Sequence, residues 1–202
     1  MSFTKLSEQD QITCIQIARA SILYGLKTGN PHIMKTEEYS ADLQQHCASF
    51  VTLNTNFKLR GCIGSLDADQ PLINDIAENA YAAAFKDPRF PPLTEDEFSQ
   101  LGMEISILTE PETMTFDSEQ ELLQQIEPGV DGLILQYDFN RGTFLPAVWH
   151  QLPDKKEFLD QLKIKAGLDS HWWNSDVSVR RFHTYSFSSY QKDTAEQTAD
   201  QQ

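Results

Sequence analysis

ASFVTLNTNFKLRGCIG, residues 48–64, is the stretch on which the reading of this chain turns. Ala48–Leu53 and Lys58–Gly64 are two β-prone runs, and Asn54, Thr55 and Asn56 between them include asparagines able to take positive φ, which predicts a hairpin. Along the second run, a period of two puts Arg60, Cys62 and Gly64 on one face and Leu59, Gly61 and Ile63 on the other. A guanidinium beside a thiol stabilises the thiolate, and the flanking glycines leave room for a ligand to approach the sulfur and the amides. That is the arrangement a nucleophilic cysteine needs. The plainer alternative makes Cys62 a small buried hydrophobe, with the glycines permitting a bulge or close packing.

Working outward, Ser7 and Asp10 resemble a helix entry, and the apolar spacing of Ile12, Ile15, Ala18, Ile22 and Leu26 predicts a helix over Glu8–Leu26, before Gly29. Residues 30–45 read as a loop with at most a helical turn. Pro71 fits the first position of a second helix, whose apolar stripe runs through Phe85. A proline-rich loop, 86–93, leads to a short acidic helix at 95–100. Met103, Ile105 and Ile107 then alternate with Glu104 and Ser106, a strand with one apolar face. A helix at 119–126, strands at 132–137 and 143–145, a helix at 155–166 and a long strand at 177–189 complete the pattern. Helices interrupting hairpins favour an α+β fold with mostly antiparallel sheets flanked by helices. The polar segment 194–202 reads as a disordered tail.

The chain has 202 residues, with 30 acidic side chains against 16 Lys plus Arg and a net charge of −14. Nucleic-acid binding requires clustered cations that displace counterions, so this balance argues against it. A protein of this size buries roughly 70% of its unfolded surface, enough for a core without disulfides or a structural metal. The start MSFTKLSEQD lacks the pattern of a signal peptide and no long apolar run occurs, so a cytoplasmic protein without membrane attachment is expected. Cys14, Cys47 and Cys62 are odd in number and scattered, and the five histidines show no ligand spacing. Neither a metal nor a cofactor is therefore expected.

LRGCIGSL at 59–66, DPRFPPL at 87–93, EISIL at 104–108, DGLIL at 131–135, RGTFLP at 141–146 and KAGL at 165–168 occur in an order that resembles the AMMECR domain family, also called protein A of the AmmeMemoRadiSam system. The resemblance implies a single domain over residues 1–193 made of two unequal, intertwined lobes. It also implies association with a Memo-like protein and a radical S-adenosylmethionine protein, and no settled activity. YSFSSY at 185–190 departs from the family's usual acidic ending.

Among the remaining candidates, Glu104 is a potential acid or base, since a carboxylate facing an apolar cleft has a raised pKa. It equally suits a salt bridge with Arg60 or Arg89. In KDPRFPP, Asp87 can pair with Arg89, three prolines stiffen the loop, and Arg89 can bind an anionic group. Phe90 is either an anchor or a core plug. Trp149, Trp172 and Trp173 form either a partner surface or core. None of His32, His46, His150, His171 and His183 is an evident partner for the thiol. Two functions follow. One is a cofactor-free enzyme or accessory subunit acting on a small anionic or peptide-like substrate, with Cys62 and Glu104 catalytic and Arg60, Gly61, Gly64, Asp87 and Arg89 binding ligand. The other is a non-catalytic binding or adaptor protein using the same residues.

Overall fold

The computed structural model describes residues 5–189. In chain order its elements are α1 (Glu8–Thr28), β1 (Ser49–Thr55), β2 (Lys58–Gly64), α2 (Leu72–Phe85), α3 (Glu95–Phe98), β3 (Leu101–Leu108), β4 (Glu112–Thr113), α4 (Glu119–Gln125), β5 (Gly132–Tyr137), β6 (Asn140–Phe144), α5 (Lys155–Lys165), β7 (Ser178–Phe182) and β8 (Thr184–Ser188). Short 3-10 helices lie at Thr36–Glu38 and Pro146–His150. The strands form two four-stranded sheets, ordered β2-β1-β3-β8 and β4-β7-β5-β6. The described registers are antiparallel, and the fold is α+β. Two compact units are present, one of Leu108–Tyr185 and one that takes residues 5–107 and 186–189 of the described chain. The expected polar tail, 194–202, lies outside the described residues.

In the larger unit α1 begins where the Ser7 side chain accepts the Asp10 N–H, and ends at Gly29 with φ 72°. Its buried side, Cys14, Ile17, Ala18, Ile22 and Gly25, faces α2. A Cβ on Gly25 would lie 2.7 Å from both the Tyr81 and Phe85 rings, so glycine there sets the closeness of the two helices. The other side of α2 covers the inner face of the sheet, where Val51, Leu53, Met103, Ile105 and Ile107 are fully buried. Burying each such side chain stabilises by about 1.5–3 kcal/mol, which makes this helix-on-sheet layer the main source of cohesion. Pro71 caps α2 rather than opening it, because the Leu72 N–H is already given to the Gln45 carbonyl at 2.8 Å.

The hairpin differs from the sequence expectation in two ways. β1 continues to Thr55, so the turn is the pair Asn56–Phe57, both at positive φ (52° and 60°), which matches the twist of the flanking strands. The register then slips, with Leu53 opposite Gly61 and Asn54 opposite Leu59, leaving Arg60 as the extra residue of a bulge. The simple alternation that placed Arg60 beside Cys62 is broken there, and Leu59 takes the Cys62 side instead.

The smaller unit packs α4 and α5 with its sheet around Leu122, Leu133, Leu135, Phe158, Leu159, Leu162 and Val179. Trp149 is buried and stacks on Phe158 at 3.7 Å and 5°, so it is core, while Trp172 and Trp173 pack half-buried against the same cluster. Lys163 is wholly buried, its Nζ bonded to Glu119 (2.5 Å) and the Ser170 carbonyl (3.1 Å). The single long strand expected over 177–189 is two strands in different sheets, β7 and β8, separated at His183. His183 there exchanges both main-chain hydrogen bonds with Thr109 instead of continuing either ladder: its N–H goes to Thr109 Oγ1 and its carbonyl takes the Thr109 N–H, each at 2.9 Å.

Candidate functional site

β2 is an edge strand, so the polar main-chain groups on its outer side need partners. At Cys62 the loop KDPRFPP supplies them. Asp87 Oδ2 accepts the Cys62 N–H at 2.9 Å, and Arg89 Nη2 donates to the Cys62 carbonyl at 3.3 Å. The two side chains also bind each other, Arg89 Nε to Oδ1 at 2.9 Å and Nη2 to Oδ2 at 2.7 Å. An aspartate and an arginine thus stand in for one residue of a neighbouring strand. Asp87 is 4% exposed, yet its carboxyl lies well below the usual carboxylate range. The Arg89 guanidinium is the main cause, the Cys62 and Arg89 N–H groups add to it, and together they outweigh burial.

Arg60, carried inward by the bulge, is buried and turned to α3. Its Nε donates to Glu97 Oε1 at 2.6 Å, and Nη2 donates to Glu97 Oε2 at 3.2 Å and to the Pro91 carbonyl at 2.9 Å. Glu97 is the third helical residue after the Thr94 cap and also accepts the Thr94 N–H and Oγ1, a capping box. Arg60 first, and these Thr94 bonds after it, hold the Glu97 carboxyl down at about 2. Phe90 lies between the two guanidiniums, 5.8 Å from that of Arg60 and 5.5 Å from that of Arg89. It is the anchor of the loop. Arg60 is committed to Glu97 and Pro91.

The space left by the glycines is filled by protein. A Cβ at Gly61 would fall 2.1 Å from the Ala83 carbonyl oxygen, so Gly61 is what lets β2 lie against the end of α2. At Gly64 a Cβ would fall 2.2 Å from the ring of Phe50, which covers that position.

What remains open is the outer face of the sheet. Thr52 is opposite Cys62 on one side and Glu104 on the other, so the three side chains form one cross-strand row; Gly64, Phe50 and Ser106 form the next. The Thr52 hydroxyl donates to Cys62 Sγ at 3.4 Å, and Ser106 Oγ is 2.8 Å from Ser186 Oγ. Cys62 and Glu104 therefore share a face, with the intervening β1 setting their main chains roughly 10 Å apart. Glu104 is exposed rather than set in an apolar cleft, and among the described residues its carboxylate has no hydrogen bond or ion pair. The arginines expected to pair with it take Glu97 and Asp87 instead.

Two polar constellations were not anticipated. Asp75, 3% exposed, accepts the Ser49 N–H (2.8 Å), Ser49 Oγ (2.6 Å), Ser65 Oγ (2.5 Å) and Asn79 Nδ2 (2.9 Å). Burial pushes its carboxyl up, and these neutral donors only partly oppose it. The signal was present, since Asp75 and Asn79 are four apart on the apolar stripe of α2. In the smaller unit, buried Asp131 holds His183. Their separation of 52 positions gave no such signal. Among the described residues no group of three or more His, Cys, Asp or Glu is arranged to hold a metal ion, and no helix is long and apolar enough to cross a membrane.

The AMMECR1 family profile matches residues 15–187. The chain belongs to the AMMECR1 family. Relatives of this AMMECR1 chain include protein MJ0810 of Methanocaldococcus jannaschii, 40% identical over 159 residues and covering 75% of this chain and 77% of the relative. A protein of Methanothermobacter thermautotrophicus is 35% identical over 189 residues, 93% of this chain and 98% of the relative. The crystal structure of the uncharacterised protein PH0010 from Pyrococcus horikoshii is similar at a TM-score of 0.82 and 33% identity, covering 92% of this chain and 94% of that one.

Proposed function

We propose that this AMMECR1-family protein is a binding protein whose open sheet face, with Phe50, Thr52, Cys62, Glu104 and Ser106, receives a small or peptide-like ligand, and that Cys62 is not a nucleophile. The observation that carries this reading is the engagement of both arginines, Arg60 with Glu97 and Arg89 with Asp87 and the Cys62 main chain. A thiolate needs a cation to hold it and a base within about 2.6–3.2 Å, and Glu104 sits two strands away. Among the described residues of the face the unpaired charge is the Glu104 carboxylate, so the ligand group it suits is an amine or a basic side chain rather than an anion. A protein partner, such as the Memo-like or radical S-adenosylmethionine protein that the family resemblance implies, would present a basic segment.

The test is a titration of the full chain with a short oligolysine, with oligoglutamate as the counter-probe, followed by backbone NMR. Saturable shifts at Thr52, Glu104 and Ser106 that vanish in Glu104→Gln are expected. Iodoacetamide labelling of Cys62 that is already fast at neutral pH and slows sharply in Arg89→Gln would overturn the reading in favour of a cysteine catalyst.

A further inference from the structure

A second site lies outside that face, where the smaller unit leaves β7. The Asp131 carboxylate is fully buried, with Oδ2 accepting the Glu127 N–H at 2.8 Å and Oδ1 lying 3.1 Å from His183 Nε2, while the residue's main-chain carbonyl accepts Trp149 Nε1 at 2.7 Å. A carboxylate only accepts, so Nε2 carries the hydrogen and Nδ1 presents a lone pair. The His183 side chain is 51% exposed, and among the described residues Nδ1 has no hydrogen-bond partner. The imidazole is not needed to hold the strand junction, because Thr109 already takes both main-chain groups of His183. Arg181, in β7 opposite Glu112 of β4, brings its Nε to 3.9 Å from the same Asp131 oxygen and remains one-third exposed. A buried carboxylate orienting an exposed imidazole by one nitrogen is the arrangement that prepares the other for proton transfer.

We propose that His183, oriented by Asp131 and flanked by Arg181, is the proton acceptor for a small anionic substrate bearing a hydroxyl group. The guanidinium of Arg181 receives the substrate's anionic group. The hydroxyl O–H bond breaks, the proton forms a bond to Nδ1, and the electron pair stays on the substrate oxygen. The resulting imidazolium keeps its Nε2–H on Asp131, whose charge stabilises it, until the proton is returned. This goes beyond the binding role of the sheet face and does not depend on it.

The test uses long-range proton–nitrogen NMR on the full chain, with inorganic phosphate as the anionic probe. At mildly alkaline pH the wild type should show His183 as the Nε2–H tautomer, and phosphate should shift its ring resonances saturably. Arg181→Met should weaken that response at least tenfold, and phosphate should slow modification of His183 by diethyl pyrocarbonate in the wild type. Asp131→Asn, if it folds, should give a mixture of tautomers. An Nδ1–H tautomer in the wild type overturns the proposal, as does a His183 ring indifferent to phosphate. A merely structural histidine would give neither the phosphate response nor the protection, and would show itself only as a lower melting temperature in His183→Gln.

Discussion

Asp75 and Asp87 belong to the same unit, are 3% and 4% exposed, and respond to burial in opposite directions. Asp75 is surrounded by neutral donors, Ser49, Ser65 and Asn79, and burial wins: its carboxyl is raised. Asp87 meets a guanidinium as well as two N–H groups, and its carboxyl is lowered. Four good neutral hydrogen bonds do not replace one opposite charge when a carboxylate leaves water. The difference also sorts the two regions by task. The first turn of α2 needs a polar plug that ties Ser49, Ser65 and Asn79 together, whereas the β2 edge needs an anion that stays ionised to hold Arg89 and the Cys62 N–H.

The edge breaks most completely through its neighbour Gly61. Gly61→Ala sets a Cβ against the Ala83 main-chain oxygen, which no rotamer can relieve, so β2 must lift from α2. A loss of about 3 kcal/mol is expected, read from the midpoint of denaturant unfolding. An unchanged midpoint would mean that β2 does not rest on α2 as described.

Asp87→Asn comes next, at about 2 kcal/mol, because it puts an amide hydrogen against the Arg89 donors and removes their charge partner. Its pH dependence has a definite sign. A depressed carboxyl contributes stability above its ordinary value, and that contribution is lost as pH falls from about 4 toward the native value. The acid limb of a stability profile should therefore be shallower in Asp87→Asn than in the wild type. Parallel limbs would show that Asp87 is not the edge's acid-sensitive group.

How much of this was legible in the sequence follows from the range of each signal. The α2 stripe and the alternation of Met103, Ile105 and Ile107 are local periods, and they lie where the pattern put them. The extent of α1 was legible too, but its buried face runs through Cys14, Ile17, Ala18 and Ile22, while Ile12 of the expected stripe is 51% exposed and Ile15 and Leu26 are half-buried. The pairing of Asp87 with Arg89 was also accessible, since both lie in one stiff loop; their clamp on the Cys62 main chain was not, because nothing in the run 58–64 marks β2 as an edge. The bulge at Arg60 was not, because one extra residue leaves the composition of the run unchanged while rotating its side chain away from the Cys62 face. Nor was the change of sheet at His183, since β7 and β8 together alternate like one strand and only the pairing of each with different neighbours separates them.

Asp75→Asn sharpens the comparison from the other side. Asparagine can turn its oxygen to Ser49 and Asn79 and its amide to Ser65 Oγ, which can accept, so the variant should lie within about 1 kcal/mol of the wild type at neutral pH. The sign here is reversed. A raised carboxyl favours the folded state at low pH, and that advantage is lost as pH rises from about 4 through the raised native value. The wild type should accordingly lose stability relative to Asp75→Asn across that window. A wild type that instead loses stability relative to Asp75→Asn as pH falls would mean that Asp75, like Asp87, has a cation beside it.

The smallest effect is expected at Cys62, whose side chain belongs to neither plug nor edge clamp. It is half-buried on the open face and receives the Thr52 hydroxyl, so serine keeps a partner of the same kind, and Cys62→Ser and Cys62→Ala should each cost under about 1 kcal/mol, serine no more than alanine. Its reactivity should nevertheless stand apart from that of the other thiols. Cys14 is fully buried with its thiol pushed up to about 12, mainly by desolvation, and Cys47 is buried with its thiol also raised. Iodoacetamide should therefore label one site in the native wild type, none in native Cys62→Ser, and all three thiols only after denaturation. Labelling of native Cys62→Ser at the wild-type rate would place the reactive thiol elsewhere and remove Cys62 from the exposed face.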